Sequence, residues 1–326
     1  MKIVVDVMGG DDAPQVVLDG VGMALAADPD LQLILTGPAA VTANLVAKYP
    51  ERLSARATTE VIAMDEHPAE AVRAKKDSSI VVGCQLVANG QASGFFSAGS
   101  TGAVMAAATL YMGRIKGIIR PMIATLFPTR QSYVVFGDIG ANADVKPEYL
   151  LQFALMGRAY AQAMLGVEQP RIGLLNIGSE ASKGSEMAQQ AYQLFSENLD
   201  GFAGNAEGND ILTGHFDVIV TDGFTGNVVL KTTEGTVSML FSELKQTFMS
   251  SLPRKLAAAV LKPGLRQMMQ RLSPENVGGA PLLGVRGACI IGHGSSTPTA
   301  IMNGIQVTAQ MIRAELPEVI AQAVLA

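Results

Sequence analysis

Short β-branched runs that end in glycine, with helical stretches between them, constrain this chain more than any other feature. They read KIVVDV (2–7), LQLILTG (31–37), FFSAG (95–99), YVVFGDIG (133–140), RIGLLNIG (171–178), DVIVTDG (217–223) and ACIIGHG (288–294). Apolar runs of this length suit strands buried on both faces, as in a parallel sheet. The stretch after Asp12 shows the helical partner: Pro14 fits a first turn, Val17, Leu18, Val21, Ala24 and Leu25 share one face, and Asp28-Pro29 ends it. Such alternation predicts a three-layer α/β/α fold around a mostly parallel sheet. The length of 326 residues suggests two domains, yet no linker and no internal repeat of fixed period divides the chain. A single unit over 1–326 is therefore expected.

In an open sheet of this kind ligands sit beyond the carboxyl ends of the strands, against helix N-termini. Six of those ends are rich in glycine and small polar residues: MGGDD (8–12), SAGSTGA (97–103), GDIGAN (137–142), NIGSEASKG (176–184), TDGFTGN (221–227) and IGHGSS (291–296). Glycine lets backbone N–H groups approach a ligand, and the interleaved Ser, Thr, Asn and Lys supply further donors. Together the six tips predict one broad polar site for an anion. Lys183 precedes a helix start, a combination that suits phosphate. His293, between two glycines at a strand end, is the one histidine placed for acid-base work. His67 reads as a loop residue and His215 as structural. Arg73, Lys75 and Lys76, beside Ser78 and Ser79, read equally as a solvated helix face or a ligand contact.

Several chemistries lack their signatures. No G-x-G-x-x-G follows the first strand, and neither a phosphate-loop motif nor a G-x-S-x-G elbow occurs, although Gly99-Ser100-Thr101-Gly102 leaves a serine hydrolase with Ser100 as nucleophile as an alternative. Cys84 and Cys289 stand far apart without histidines at ligand spacing, so neither a disulfide framework nor a metal site is indicated, and no cofactor is called for. A net charge of -5 argues against nucleic acid. The acidic N-terminus does not read as an export signal, and the longest apolar run, 103–112, is too short to span a bilayer.

The tips can be set in order with other motifs: MGGDDAP, AVRAKKDSS, SAGSTGA, GIIRP (117–121), DIGAN (138–142), LLNIGSEASKG, EGNDILTG (207–214), VTDGFTGNVVLKTTEG, GGAPLLGVRG (278–287) and HGSS. In that order the chain resembles the bacterial PlsX-type phosphate acyltransferases, the acyl-carrier-protein:phosphate transacylases, over roughly residues 1–315. The resemblance implies a fold of the isocitrate/isopropylmalate dehydrogenase-like group, a homodimer, and transfer of a fatty acyl group from acyl carrier protein to inorganic phosphate, giving acyl phosphate for phospholipid synthesis. One tip departs from the family pattern, which commonly reads SAGNTGA where this chain has Ser100. Resemblance and tip placement together nominate Lys183, Asn227 and His293 as catalytic. They nominate Gly9, Gly10, Asp11, Gly99, Ser100, Thr101, Gly102, Asp138, Asn142, Gly178, Asp222 and Gly226 as phosphate- or substrate-binding. Lys183 would hold phosphate, Asn142 and Asn227 would orient it or stabilise the oxyanion, and His293 would take the phosphate proton or protonate the departing sulfur. Rival readings are a phosphate acetyl- or butyryltransferase using coenzyme A thioesters, and a non-catalytic carrier- or lipid-binding module.

One segment stands apart in charge. Residues 252–272 carry Arg254, Lys255, Lys262, Arg266 and Arg271 and no acidic residue. Apolar residues recur there at helical spacing, and Pro263-Gly264 interrupts them. This predicts a basic amphipathic helical hairpin within an excursion at about 236–275, suited to acyl carrier protein, an anionic membrane surface or a partner subunit. A cytoplasmic protein held peripherally at the inner face of the membrane is the corresponding expectation.

Overall fold

The structure, a computed structural model, describes residues 1–130, 132–272 and 277–325, without the side chains of 270–272. Its strands are β1 (Lys2–Asp6), β2 (Gln32–Gly37), β3 (Leu53–Ala57), β4 (Gly94–Ser97), β5 (Met122–Pro128), β6 (Tyr133–Gly137), β7 (Ile172–Leu175), β8 (Phe202–Ala206), β9 (Val218–Val220), β10 (Ala280–Leu283) and β11 (Ala288–Ile291). All seven strands expected from the sequence are present. They join one sheet in the order β3-β2-β1-β4-β11-β10-β5-β6-β9-β7-β8.

Helices cover both faces, giving the three layers expected. On one face α1 (Gln15–Ala27), α6 (Pro147–Leu165), α7 (Glu186–Asn198), α10 (Pro298–Arg313) and α11 (Leu316–Leu325) bury Val17, Val21, Phe153, Phe195, Ile301 and Ile320 against the sheet. On the other, α3 (Pro68–Ala74), α4 (Ser79–Ala88) and α5 (Thr101–Ala107) bury Val72, Val81 and Val104 over Val4, Phe95 and Phe136. Helix α1 starts after Pro14 and stops at Asp28, as its sequence dictates.

The sheet is mostly parallel, as expected, and three antiparallel pairs divide it. Strands β3, β2, β1, β4 and β11 run parallel to one another, as do β6, β9, β7 and β8. Between the two sets, β10 is antiparallel to β11 and to β5, and β5 is antiparallel to β6. Three successive reversals turn the second set against the first. The carboxyl ends of β1, β4 and β11 therefore lie on one edge of the sheet, and those of β6, β9 and β7 on the other. Within one chain the six tips therefore form two groups of three, on opposite edges of the sheet.

The two sets echo each other in sequence as well. Gly99-Ser100-Thr101-Gly102 leads from β4 into α5, and Gly223-Phe224-Thr225-Gly226 leads from β9 into α8 (Gly223–Met249). The likeness has no fixed period and is too short to stand out in a scan along the chain.

Helix α8 packs back on α9 (Leu252–Leu272), with the turn at Ser250-Ser251. The hairpin expected within 252–272 is thus formed by 223–272. Pro263 lies inside α9 without ending it, because a proline removes one N–H and bends a helix that can still continue on either side. Only Gly223 and Gly226 of α8 are buried.

Candidate active site

On the first edge, Asp6 draws three segments together. It ends β1 fully buried. Its Oδ1 accepts the Met8 N–H (2.9 Å) and its Oδ2 accepts the Ser97 hydroxyl (2.7 Å), whose oxygen in turn accepts the Gly99 N–H (3.0 Å). Burial raises the Asp6 carboxyl above the ordinary range, opposed by bonds from Ser79, Ser97, Met8 and Gly9. This clasp brings residues 8–10 against 97–99 so closely that a Cβ on Gly9 would meet the Gly99 nitrogen at 2.5 Å. The third tip joins through the Asp11 N–H, which donates to the Gly294 carbonyl (2.8 Å). Gly10 takes φ +115°, a conformation that favours glycine, and faces the same carbonyl.

His293 is exposed on this edge. Its Nδ1 accepts the Ser295 N–H (3.2 Å) and lies 2.8 Å from the Ser295 hydroxyl. An accepting Nδ1 leaves the neutral ring's proton on Nε2, which is then a donor. Asp11 and Asp12 are exposed nearby, and the three tips hold no lysine or arginine. Ser100 is almost wholly buried and Thr101 is exposed, while Gly102 packs on Pro68. His67, expected to lie in a loop, precedes α3 in the N-cap position and is exposed. Lys75 is engaged by Glu66 (2.5 Å) and the Val61 carbonyl (2.8 Å), which fastens the loop carrying Met64 toward Gly294.

On the second edge the organiser is Asp138, also fully buried. Its Oδ1 accepts N–H groups of Ile123, Gly140 and Ala141, and its Oδ2 accepts both the backbone N–H (2.7 Å) and the side-chain amide (2.8 Å) of Asn142. Burial raises this carboxyl too, against the lowering effect of those donors. The Asn142 amide also donates to the Pro121 carbonyl (2.9 Å). Asp222 caps α8 by accepting the Thr225 N–H (2.8 Å) and hydroxyl (2.7 Å). Gly226 lies directly on the Asp138 carbonyl, and the Gly223 N–H donates to the Asn142 carbonyl (2.7 Å).

Asn227 is exposed on the first turns of α8. Lys183 is half-exposed, with Glu180 4.0 Å from its Nζ and Gly178 against its side-chain carbons. Ile177, Phe224 and Val228 expose apolar surface on the same tips. This edge therefore presents a cation, an amide and an apolar rim. The first presents backbone N–H groups, an imidazole and carboxylates.

A family model described as "Fatty acid synthesis protein" matches residues 1–319. Curated relatives named phosphate acyltransferase include one from Desulfitobacterium hafniense, 48% identical over 315 residues and covering 96% of this chain and 94% of its own. Another, from Halothermothrix orenii, is 46% identical over 327 residues, covering 99% and 98%. This chain belongs to the phosphate acyltransferase family. Membership makes it an acyltransferase enzyme, as the ordered motifs imply. Its fold is shared with a phosphotransacetylase from Streptococcus pyogenes at a TM-score of 0.63 and 18% identity, over 96% of this chain and 94% of that one.

For a phosphate acyltransferase, the nominated residues divide into those that face solvent and those that hold the tips. Lys183, Asn227, His293, Asp11 and Thr101 are exposed. Asp138 and Asn142 are not free to bind phosphate, because donors engage both carboxylate oxygens and the amide nitrogen is already shared by two acceptors. Asp222 is a helix cap, and Ser100 is too buried to serve as a nucleophile. His215 is exposed and lies 3.7 Å from Asp210, not packed as a structural histidine. Among the described residues no group of three His, Cys, Asp or Glu is placed to hold a metal. Sequence reading gives no role to Asp6, Ser79, Ser97 or Ser295; the visible signal for Asp6 is a carboxylate closing an otherwise apolar strand.

His293 and Lys183 are not brought together in one chain. The strands that carry them, β11 and β7, stand five places apart in the sheet. At about 4.8 Å per strand that is roughly 24 Å, with the tips facing opposite ways.

Proposed function

We propose that the chain, acting as one unit over 1–326 and as a homodimer, transfers a fatty acyl group from the thioester of acyl carrier protein to inorganic phosphate. The product is acyl phosphate for phosphatidic acid synthesis. The observation that carries the reading is that the glycine-built tips expose Lys183, Asn227 and His293, while Ser100, the hydroxyl a hydrolase would use, is buried. Phosphate is already an anion and needs no activated serine. Its oxygen attacks the acyl carbonyl carbon, negative charge collects on the carbonyl oxygen, and the carbon-sulfur bond breaks to release a thiolate whose intrinsic pKa is about 8.5. The protein's task is to hold an anion beside a carbonyl and stabilise the oxyanion. Lys183 offsets the phosphate charge. The Asn227 amide and the His293 Nε2–H are neutral donors for phosphate or oxyanion. The hydrogen bond at Nδ1 favours His293 as a donor over a base.

The hairpin fits an anionic membrane surface. Leu252, Leu256, Val260 and Leu261 are exposed on α9 together with Arg254, Lys255, Lys262 and Arg266, while the side chain of Arg271 lies outside those described. Apolar side chains enter the interface and cations meet lipid phosphates. No helix among the described residues is long and apolar enough to cross a membrane. The reading thus places a cytoplasmic enzyme peripherally on the inner face.

Incubation with palmitoyl carrier protein and phosphate, followed by free thiol and acyl phosphate, tests the reaction, with acetyl coenzyme A as the competing donor. Turnover of the carrier thioester supports the proposal. Turnover of acetyl coenzyme A alone identifies a coenzyme A phosphotransacylase instead, and turnover of neither removes both.

A further inference from the structure

We propose that the loop over 113–121 is the docking surface on which an acidic carrier protein presents its thioester. This rests on the reading above, in which a carrier thioester is the acyl donor. The loop holds the GIIRP motif, which has no part in the site described so far. It enters the sheet on the second edge: Met122 opens β5 antiparallel to β6, and the Pro121 carbonyl accepts the Asn142 amide.

Charge sets this surface apart. No Asp or Glu occurs between Asp77 and Asp138, nor between Glu275 and Glu315, and these two stretches supply β4, β5, β6, β10 and β11. Where β10 ends and β5 begins they leave Arg114, Lys116, Arg120 and Arg286 exposed. None of the four forms an ion pair among the described residues. Glu148, exposed one turn before Gln152 on α6, pairs with none of them. In a chain of net charge -5 this is a local reversal of sign, which an acidic protein surface complements.

The loop is held in place before any contact is made. Gln152 accepts the Ile119 N–H and donates to the Gly117 carbonyl, both at 2.8 Å. The Ile115 N–H donates to the Gly284 carbonyl (3.0 Å), and Ile115 and Ile118 are buried beneath. Arg286 donates to the Met112 carbonyl (3.0 Å) and Arg114 to the Ile119 carbonyl, so these two brace the loop. Lys116 and Arg120 keep their charges free for a partner. Ile119 and Leu110, 38% and 56% exposed, add a small apolar centre to the cationic rim, the anatomy of a protein interface. A surface ordered beforehand loses little freedom on binding. A bilayer fits it less well, because a short braced loop offers no amphipathic helix to lie in the interface.

The position suits delivery. Asn227 follows β9 and Lys183 follows β7, two and three strands from β5, or about 10 and 14 Å. A thioester on a flexible arm crosses such a gap from a carrier seated on the loop.

Charge reversal tests this. Full-length wild type, Lys116→Glu, Arg120→Glu and the double variant are titrated into fluorescently labelled palmitoyl carrier protein, and thiol release is followed with the same donor. Lys48→Glu serves as control, at the end of α2 (Ala39–Lys48), which packs on β3, six strands from β5. The double variant should bind the carrier about tenfold more weakly and show a KM raised alike, with kcat at saturating carrier, KM for phosphate and Tm unchanged. Each single variant should fall between, and Lys48→Glu should match wild type. Wild-type affinity should drop steeply with salt, and that of the double variant less. Wild type that binds no carrier, a double variant that binds it as wild type does, or an equal loss in Lys48→Glu overturns the proposal. A lower kcat with binding intact overturns it too, by assigning these cations to the reacting groups. So does lost flotation with anionic vesicles while carrier binding persists, which marks a lipid contact. Carrier binding that depends on the loop without any thiol release refutes the reaction proposed above, which is a separate result.

Discussion

Two glycines of α8 that helix propensity treats alike should respond to alanine with opposite signs. Gly235 has nothing within 4 Å of the point where a Cβ would stand, so Gly235→Ala gains the helix preference of alanine, about 1 kcal/mol. At Gly226 the added carbon would fall well inside 3.0 Å of the Asp138 carbonyl oxygen, a separation that real Cβ atoms do not show. The oxygen is backbone, held in the Asp138 cluster, so it cannot swing aside. The first turn of α8 must retreat by roughly 1 Å, at about 3 kcal/mol for overpacking. The retreat also stretches the 2.7 Å bond from the Gly223 N–H to Asn142, worth about 1 kcal/mol. After the propensity gain is set against these, the net loss is about 3 kcal/mol. With an unfolding entropy of about 2.1 cal/mol/K per residue, 326 residues give about 0.7 kcal/mol per kelvin. Gly226→Ala should therefore lower Tm by about 4 °C and Gly235→Ala raise it by about 1.5 °C. Thermal unfolding followed by circular dichroism resolves the difference, and thiol release should fall only for Gly226→Ala. Equal Tm shifts for both substitutions would refute the contact between α8 and Asp138 as the cause.

Three further outcomes follow from the same structure. Cys84 and Cys289 are buried, burial pushing the first thiol well up and the second to about 12, so neither should react with a thiol reagent at pH 8 until the protein is unfolded; labelling of the native protein would contradict their burial. Because burial raises Asp138 in the folded state, its stabilising contribution is fully present below its ordinary value of 3.8 and is lost as pH rises through the raised value. The stability advantage of wild type over Asp138→Asn, measured by urea unfolding, should accordingly narrow as pH rises across that window, and a gap that widens would reverse the assigned direction. Replacing Leu261 and Leu265 by Glu should abolish flotation with anionic vesicles while thiol release in solution continues; equal flotation of variant and wild type would remove the membrane role of the hairpin.

The strands and the three-layer arrangement were legible because burial on both faces demands unbroken β-branched runs, as in KIVVD and ACII. The mostly parallel direction was legible too, but the place where it reverses was not. The reversals depend on β5 and β10, and β10 is only four residues, APLL, with a proline among them. An apolar run reads alike whichever way its neighbour points. The exposure of Lys183, Asn227 and His293 agrees with their place in the sequence, because a polar residue beside a glycine at a strand end or helix start has few buried uses. The internal bonding of Asp138 and Asn142 was not legible for a specific reason: their partners include Ile123 and Pro121, and only the fold brings those within reach. A carboxylate surrounded by N–H groups and one facing a ligand have the same sequence context.

The insertion of the second strand set within the first bears on how the protein is made. Strands β5 to β9 come from one continuous stretch, whereas β4 pairs Gly94 with Ala288 of β11, and α1 packs on α10, where Arg313 meets Asp28 at 2.6 Å. During synthesis at about 5–20 residues per second, the inner edge of β4, with Phe95 and Phe96, waits for roughly 190 residues, or about 10–40 s, before its partner emerges. The nascent chain thus carries an open strand edge and the Phe96 ring, which later packs on Gly292 and Gly304, for most of that interval, the condition under which strand-to-strand association between chains competes with folding.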